Sequence, residues 1–302
     1  MRSWWQILKI SFNEFINDNA IKLSASLSYY TIFSLAPMLI IIISFAGMFF
    51  GRDAIQGKIY EQIRGLIGNQ AALFIQEIIA NIERSKHSVT GAIIGILALL
   101  IGATGVFTEI QGSINYIWSV RAKPRKGWLK FIMNRLISFS LVIAFGFILM
   151  VSLTMNALMD LLSDRLQLYF HNLAVVLIYT INLALIFVVI TITFAIIFKV
   201  LPDARIRWRD AFTGAIFTAI LFLGGKFLIG LYLGHSKIGL TYGAAASFVI
   251  LILWVYYSSI ILYFGAEFTK VYAIHRGSGI RPSDTSVFII KKETREVGSS
   301  SL

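Results

Sequence analysis

The chain has 302 residues, of which 57% are hydrophobic and only 14% carry a charge. Soluble globular proteins have about 25% charged residues, so this composition excludes an ordinary soluble domain. The chain has no cysteine, which excludes disulfide bonds and thiol catalysis, and its formal net charge is +12. A charge of that size raises two alternatives, binding to nucleic acid or contact with an acidic surface.

Six apolar segments are long enough to cross a membrane as helices, which requires about 20 residues each. They lie at residues 26–50, 89–118, 136–159, 172–198, 211–233 and 240–266. The sequence therefore predicts an all-α integral membrane protein with one domain, residues 1–276, built as a six-helix transmembrane bundle. The remaining segment, Gly277–Leu302, is predicted to be a disordered cytoplasmic tail except at Val287–Ile290, because it mixes Gly, Ser, Thr and charged residues.

The basic residues are unevenly distributed between the two sides of this predicted bundle. Lys and Arg number 19 in the N-terminal segment, the loops after spans 2 and 4, and the tail, against 8 in the alternate segments. Because cytoplasmic loops retain basic residues, both termini are expected on the cytoplasmic side of the cell membrane. The net charge is therefore interpreted as a topology signal that anionic lipid headgroups reinforce, and no nucleic-acid partner is expected.

The N-terminal segment has apolar residues at helical spacing, with polar residues on the opposite side. This pattern predicts an amphipathic helix in the membrane interface, with its tryptophans at the depth of the headgroups. The apolar side consists of Trp4, Trp5, Leu8, Phe12, Phe15 and Ile16.

Span 1 contains Pro37 near its middle. A proline in a helix interior removes one backbone hydrogen bond and clashes with the preceding turn, so a kink is predicted. Two interpretations stay open. The helix is either bent for packing or broken at a binding site, as the helices of transporters are.

The connection between spans 1 and 2, residues 51–88, is long for a membrane loop. Apolar residues recur at helical spacing over 55–67 and 74–82, and Gly68–Asn69 is a plausible break between the two runs. The sequence predicts an amphipathic helical pair on the outer face, which either caps the bundle or lies on the membrane.

Spans 2 and 5 have small residues spaced by three or four, which places them on one helix face where a neighbouring helix can approach closely. Packing inside the bundle is the favoured interpretation, and formation of a homo-oligomer is the alternative. These residues are Gly91, Gly95, Ala98, Gly102 and Gly105 in span 2, and Ala211, Gly214, Ala215, Ala219 and Gly225 in span 5.

Three ionisable residues lie within or at the ends of the spans, where polar groups are costly and are candidates for function. Lys226 in span 5 either extends to the interface along its methylene stem or lines a polar cavity. Glu267 ends span 6 and either pairs with a basic residue, Arg207, Arg209 or Lys270, or acts as a functional acid. Glu109 ends span 2 within a polar cluster that predicts a vestibule. The other members of the cluster are Thr104, Thr108, Gln111, Ser113 and Asn115.

No arrangement typical of an enzyme is found in the sequence. The four histidines are scattered without the spacing of metal ligands, and there is no nucleophile motif, phosphate-binding loop or dinucleotide fingerprint. We therefore expect no catalytic residue, no metal and no cofactor. The expected partners are membrane lipids.

Four stretches together resemble the YihY / virulence factor BrkB family of bacterial inner-membrane proteins. They are LSASLSYYTIFSLAP (Leu23–Pro37), GVFTEIQGSINYIWSV (Gly105–Val120), Arg205–Leu233 and Tyr242–Lys270. The resemblance implies six membrane helices and draws attention to residues within these stretches, among them Tyr29, Ser34, Pro37, Asn115, Trp118, Lys226 and Glu267. Members of this family have carried the label ribonuclease BN. The sequence offers neither the metal-binding side chains nor the acid–base pair that a nuclease requires.

The kinked span 1, the intramembrane Lys226 and the polar cluster around Glu109 favour transport or flipping of an envelope-related molecule. The competing class is a structural or assembly factor of the envelope in which small residues merely pack helices. A nuclease is the least favoured class. The sequence does not identify a substrate.

Overall fold

The computed structural model of the chain describes residues 3–50, 60, 64, 69–85, 105–123, 173–235, 241–284 and 286–289. Within these ranges the chain is mainly α-helical, and a short 3-10 turn at Gly243–Ala245 precedes the last helix. The helices are α1 (Trp4–Asn17), α2 (Ala20–Phe50), α3 (Asn69–Ser85), α4 (residues 105–117), α5 (Leu173–Val200), α6 (Trp208–His235) and α7 (Ala246–His275).

Three of the described helices contain segments that are long and apolar enough to cross a membrane. The segments are Leu183–Val200 in α5, Trp208–Tyr232 in α6 and Ala246–His275 in α7. These helices occupy the predicted spans 4, 5 and 6. The predicted span 136–159 and the first half of span 89–118 lie outside the described residues, so the number of six spans stays a prediction.

Helix α2 contains the predicted span 1 and begins six residues before it. Its backbone is helical without interruption from Ala20 to Phe50. The alternative of a helix broken at Pro37 is therefore not observed, whereas a bend at that residue stays a prediction.

Helix α1 begins at a capping box. The hydroxyl of Ser3 accepts from the backbone N–H of Gln6, and the side-chain carbonyl of Gln6 accepts from the backbone N–H of Ser3. It packs along α7 and buries Ile7 and Ser11. Phe15, which the sequence assigned to the interfacial side, is also buried, because its ring packs edge-on against Phe264 of α7 at a centroid distance of 5.6 Å. Four apolar side chains of α1 stay exposed: Trp4, Trp5, Phe12 and Ile16.

Helix α3 coincides with the second half of the helical pair predicted between spans 1 and 2. It packs against α7 and α2, with Ala72, Ile75 and Ile79 buried. The first half of the predicted pair lies outside the described residues, apart from Tyr60 and Arg64.

Helix α7 contacts α1, α2, α3, α5 and α6. It approaches α6 closely at two reciprocal glycine–threonine pairs. A Cβ atom on Gly214 of α6 would lie 2.8 Å from Cβ of Thr269, and one on Gly265 of α7 would lie 2.8 Å from Cγ2 of Thr218. Each threonine hydroxyl donates to a backbone carbonyl of its own helix at 2.7 Å, so both hydroxyls keep a partner in this close contact. The small residues of span 5 therefore serve close helix packing.

The described part of the segment after α7, residues 276–284 and 286–289, contains two short strands where the sequence predicted a mostly disordered tail; residues 290–302 of that tail lie outside the described residues. Strand β3 (Arg281–Pro282) pairs antiparallel with β2 (Ala204–Arg205), and β4 (Ser286–Phe288) pairs antiparallel with β1 (Val120–Ala122). The composition suggested disorder because the segment has few apolar residues. Its backbone groups instead find partners in two loops that are distant in sequence.

Candidate functional site

Four segments that are far apart in sequence meet at one end of the helical bundle, which we call the shared end. They are α1 with the turn that follows it, the end of α4 with β1, the loop between α5 and α6, and the end of α7 with the strands after it. The segments correspond to the four basic regions of the sequence, since alternate loops of a membrane bundle lie on the same side. The contacts that join them are described next.

The ammonium group of Lys270 lies at the centre of the shared end. Its Nζ is 2.9 Å from Oε2 of Glu267, 3.2 Å from Oε2 of Glu14 and 3.3 Å from Oδ2 of Asp18. It also donates to the backbone carbonyl of Ile117 at 2.9 Å. These five residues, the Lys270 cluster, connect α1, α4 and α7 around one positive charge.

Glu267 was predicted either to pair with a basic residue or to act as a functional acid. The structure shows the first arrangement, with Lys270, one helical turn away, as the partner. Glu267 is completely buried, whereas Arg207 and Arg209 lie exposed at the start of α6. A buried carboxylate requires a cation or hydrogen-bond donors nearby, and Lys270 supplies the cation.

The Lys270 cluster also brings three carboxylates together, which the sequence did not reveal. One oxygen from each of Glu14, Asp18 and Glu267 lies within 4.8 Å of the others. Three carboxylates so close could hold a cation, and in this structure the ammonium of Lys270 lies against all three. The cluster was missed because Glu14 and Asp18 are some 250 positions from Lys270 in the sequence. The one signal in the sequence was the spacing of four between Glu14 and Asp18, which places two residues on the same face of a helix.

Trp118 connects the end of α4 to α7 directly beside this cluster. Its indole N–H donates to the backbone carbonyl of Ala266 at 3.0 Å, and its side chain is 2% exposed. The carbonyl belongs to the residue immediately before Glu267. Two of the stretches that carry the family resemblance are therefore in contact through a buried hydrogen bond.

Asn115 is held by a reciprocal pair of hydrogen bonds with Asp203, in the loop between α5 and α6. Nδ2 of Asn115 donates to Oδ2 of Asp203 at 2.8 Å, and the backbone N–H of Asp203 donates to Oδ1 of Asn115 at 2.8 Å. The backbone carbonyl of Asp203 accepts from Oγ of Ser286 at 2.6 Å and from the N–H of Ser283 at 3.0 Å. Asp203, which the sequence did not single out, thus joins α4 to the segment after α7.

A cleft of about 880 Å³ opens at the shared end beside α4. Polar side chains of α4, spaced by three or four residues, line one wall, and β1 and β4 line another. The lining includes Thr108, Gln111, Asn115, Arg121, Lys123 and Asp203. This cleft corresponds to the polar vestibule that the sequence predicted at the end of span 2.

The polar cluster predicted around Glu109 is divided between two faces of α4. Thr108, Gln111 and Asn115 line the cleft, whereas Glu109 is half-buried and is not among the lining residues. Ser113 is buried on the inner face. The division follows from helical geometry, because Glu109 is rotated about 100° from Thr108 on the helix.

In the part of the chain that the structure describes, Lys226 pairs with neither Glu109 nor Glu267, and the sequence predicted that it would not be their direct partner. It is half-buried on α6, next to Gly225, whose α-carbon faces the Tyr257 side chain of α7. Tyr257 precedes Glu267 by ten residues, which is about 15 Å along a helix. Among the described residues, no ion pair or hydrogen bond involves the ammonium group of Lys226, and it is not part of the cleft wall.

The candidate residues of span 1 lie on α2. Tyr29 is 62% exposed and contacts the rings of Tyr30 and Phe33 at centroid distances of 5.8 and 4.7 Å. Ser34 is buried where Gly105 begins α4, and a Cβ atom on that glycine would be 3.7 Å from its hydroxyl oxygen. The structure therefore places Ser34 between two helices and Tyr29 on the outer surface, and brings neither into the cleft.

Comparison with known proteins gives a consistent result along most of the chain. It is 28% identical to a UPF0761 membrane protein of Azotobacter vinelandii over 271 residues, covering 87% of this chain and 62% of that protein. It is 28% identical to a UPF0761 membrane protein of Pseudomonas aeruginosa, covering 84% and 59%. A similar protein of Pseudoalteromonas atlantica is 26% identical, covering 90% and 88%. The chain thus spans about three fifths of the length of the first two relatives.

No solved structure matches the chain. The sequence profile of one family, described as Virulence factor BrkB, matches residues 11–286. This match includes the Lys270 cluster, the Asn115–Asp203 pair and the segment after α7 as far as Ser286. The chain is therefore a membrane protein that belongs to the virulence factor BrkB family.

Proposed function

We propose that this protein spans the bacterial inner membrane six times with both termini in the cytoplasm, and that it transports or flips an anionic, envelope-related molecule. The observation that carries the proposal is the cleft at the shared end. It lies beside described parts of the four sequence regions that together contain 19 of the 27 basic residues, and the distribution of Lys and Arg assigns these regions to the cytoplasm.

The charges that line the cleft favour an anion as its ligand. Arg121 and Lys123 contribute two positive charges from β1 and its exit. In the described part of the wall the one carboxylate is that of Asp203, which already accepts from Asn115 at 2.8 Å. The lining therefore has a net positive charge together with amide and hydroxyl groups that can orient a polar ligand.

Lys226 is the second element of the proposed path. It lies 18 residues after the start of α6, about 27 Å from the shared end. A cation at this depth requires a polar partner, a water-filled space or the opposite interface. In the proposed function it attracts the anionic group of the molecule after that molecule leaves the cleft.

The topology can be tested with reporter fusions after Gly127, Asp164, Asp203 and Lys237. The proposal expects signals that alternate inside, outside, inside, outside. An external signal at Gly127 would overturn the orientation and with it the assignment of the cleft to the cytoplasm.

The transport proposal can be tested by lipid analysis of a deletion strain. An envelope component should accumulate in the inner membrane, and the wild-type gene should restore its level. The Arg121→Gln/Lys123→Gln variant should fail to restore it, whereas Arg205→Gln should succeed, since the exposed Arg205 pairs with Asp284 and is not in the cleft wall. Full restoration by the cleft variant would argue against transport through this site.

A structural or assembly factor of the envelope is the alternative function. The close contact of α6 and α7 through Gly214, Thr218, Gly265 and Thr269 favours it, because such packing produces a rigid bundle. This alternative expects no accumulated component in the deletion strain and full function of the cleft variant.

We further propose that the protein is not an enzyme and, in particular, not a ribonuclease. The three clustered carboxylates surround the Lys270 ammonium, so the position that a catalytic cation would take adjoins a fixed positive charge. Purified protein should leave RNA intact in the presence of Mg²⁺, Mn²⁺ or Zn²⁺. Cleavage that is lost on Glu267→Gln would contradict this proposal.

A further inference from the structure

A second pocket, separate from the cleft, lies where α6 begins and α7 ends. Its volume is about 550 Å³, and none of its lining residues belongs to the cleft wall. Each helix contains a segment capable of crossing a membrane. The segment in α6 begins at Trp208, and the segment in α7 ends at His275. In the proposed topology, on which the depth of the pocket rests, the pocket therefore lies near the level where these helices leave the membrane.

Three arginines line this pocket: Arg207 and Arg209 from the start of α6, and Arg276 from the end of α7. The guanidinium of Arg276 lies over the ring of Trp4 at 4.9 Å from its centroid, so α1 helps to orient it. Arginine forms paired hydrogen bonds with phosphate oxygens. The hydroxyl-bearing residues Thr213 and Ser278 also line the pocket.

Asp210 is the only carboxylate among the described residues of the pocket wall, and it already accepts hydrogen bonds. The side chain is 5% exposed, and its Oδ2 accepts from the backbone N–H and the hydroxyl of Ser278 at 3.0 and 2.7 Å. The wall therefore has three positive charges against one negative charge that is hydrogen-bonded. The N-terminal end of α6, with 28 residues, adds a partial positive charge in the same place.

Exposed aromatic residues surround the arginines. Trp208 is 50% exposed and Phe212 is 39% exposed, and their rings are 5.9 Å apart. Nζ of Lys199 lies over the ring of Trp208, 5.7 Å from its centroid, and so helps to hold the indole beside the arginines. Tryptophan beside basic residues at a helix end is typical of the headgroup region of a membrane.

We propose that this pocket binds the phosphate group of an anionic membrane lipid such as phosphatidylglycerol, through Arg207, Arg209 and Arg276. Free phosphate has the same charge and the same hydrogen-bonding atoms. The exposed Trp208 and Phe212 favour a lipid, because they offer apolar surface to the glycerol and acyl region beside the charged group. The pocket shares no residue with the cleft, and the proposal does not depend on transport.

The test uses the full-length protein purified in a neutral detergent and native mass spectrometry to count bound lipids. Phosphatidylglycerol, phosphatidylcholine of the same chain length and inorganic phosphate are the probes. The wild-type protein should bind phosphatidylglycerol in preference to phosphatidylcholine, and millimolar inorganic phosphate should not displace it. The Arg207→Gln/Arg209→Gln variant should bind it more weakly, by about fivefold for each arginine removed.

The control is Arg205→Gln, which removes one positive charge a few residues away and outside the pocket, and is matched in charge to Arg209→Gln alone. Its binding should equal that of the wild-type protein. Equal binding by wild type and the double variant would overturn the proposal. An equal loss in the control would also overturn it, since the effect would then come from overall charge. Displacement by inorganic phosphate would overturn the assignment to a lipid.

If the double variant does not fold, Arg209→Gln alone decides the question. Its side chain is exposed in the first turn of α6, so its replacement leaves the packed core intact. A loss of about fivefold in phosphatidylglycerol binding would support the proposal, and unchanged binding would overturn it.

Discussion

The ammonium of Lys270 lies 2.9 Å from Oε2 of Glu267, and both side chains are buried: that of Lys270 is 9% exposed and that of Glu267 is 0% exposed. Such a pair gains little net stability over apolar residues of the same volume, because both charges lose their water. Breaking the pair is costly, however, since one charge is then left buried alone. The residues around it therefore determine what each substitution does.

Lys270→Met should lower the stability of the protein strongly. It leaves Glu14, Asp18 and Glu267 adjacent without a cation, and removal of one partner of a buried ion pair costs about 3–5 kcal/mol. Thermal unfolding in detergent should show a lower midpoint, whereas Lys22→Met, at an exposed position of α2, should match the wild type. Adding Glu267→Gln to Lys270→Met should restore part of the loss. An unchanged midpoint for Lys270→Met would show that the cluster contributes nothing to stability.

Glu267→Gln should be milder than Lys270→Met, because Lys270 keeps Glu14, Asp18 and the Ile117 carbonyl as partners. We expect a cost of about 1–3 kcal/mol, seen as a lower yield of membrane-inserted protein and a lower unfolding midpoint. The protein that does fold should retain its function in the deletion strain. A variant with normal yield and no function would instead identify Glu267 as a functional acid.

Asn115→Asp should destabilise the contact between α4 and the loop after α5. The change replaces the amide that donates to Asp203 by a second carboxylate, at a cost of about 1–3 kcal/mol. Asp203→Asn in the same chain should restore stability, since the new amide can donate to the new carboxylate. A double-mutant cycle on unfolding midpoints measures this coupling, and additive effects of the two changes would contradict it.

Gly214→Ala should weaken the packing of α6 against α7. The added methyl group would meet the Thr269 side chain, and overpacking of this kind costs about 1–3 kcal/mol. Gly224→Ala is the matched control on the same helix, because none of the described residues beyond its own stretch of helix has an atom within 4 Å of the added carbon. Unfolding midpoints should fall for Gly214→Ala and stay level or rise for Gly224→Ala. Equal midpoints would mean that the helices can separate slightly without cost.

Lys226→Met should abolish function in the deletion strain while expression and unfolding midpoint stay unchanged. Lys226→Arg should retain part of the activity, because the positive charge persists while the geometry of the side chain changes. If the side chain only extends to the interface, the methionine variant should be silent or more stable, since an apolar side chain suits lipid better. Equal activity of Lys226→Met and the wild type would remove Lys226 from the proposed path.

The sequence by itself determined that this is a helical membrane protein of the BrkB family, and it located the ends of α5 and α6 to within three residues and those of α7 to within nine. Long apolar segments are local signals, because a helix in lipid must satisfy its backbone hydrogen bonds within itself. The same holds for the small residues of span 5, whose spacing alone places them on one face. It also predicted that Glu267 could pair with Lys270, a neighbour at helical spacing.

Only the tertiary structure decided which distant residues share a site. Glu14 and Asp18 join Lys270 across some 250 positions, and Asp203 joins Asn115 across 88, and no periodic pattern marks either contact. The pairing of β4 with β1 was likewise hidden, because strands of three residues are too short to show a pattern and acquire their structure from the segment they pair with. The physical reason is common to all three: a buried charge or an unpaired backbone group is satisfied by whatever the fold brings near, not by its neighbours in sequence.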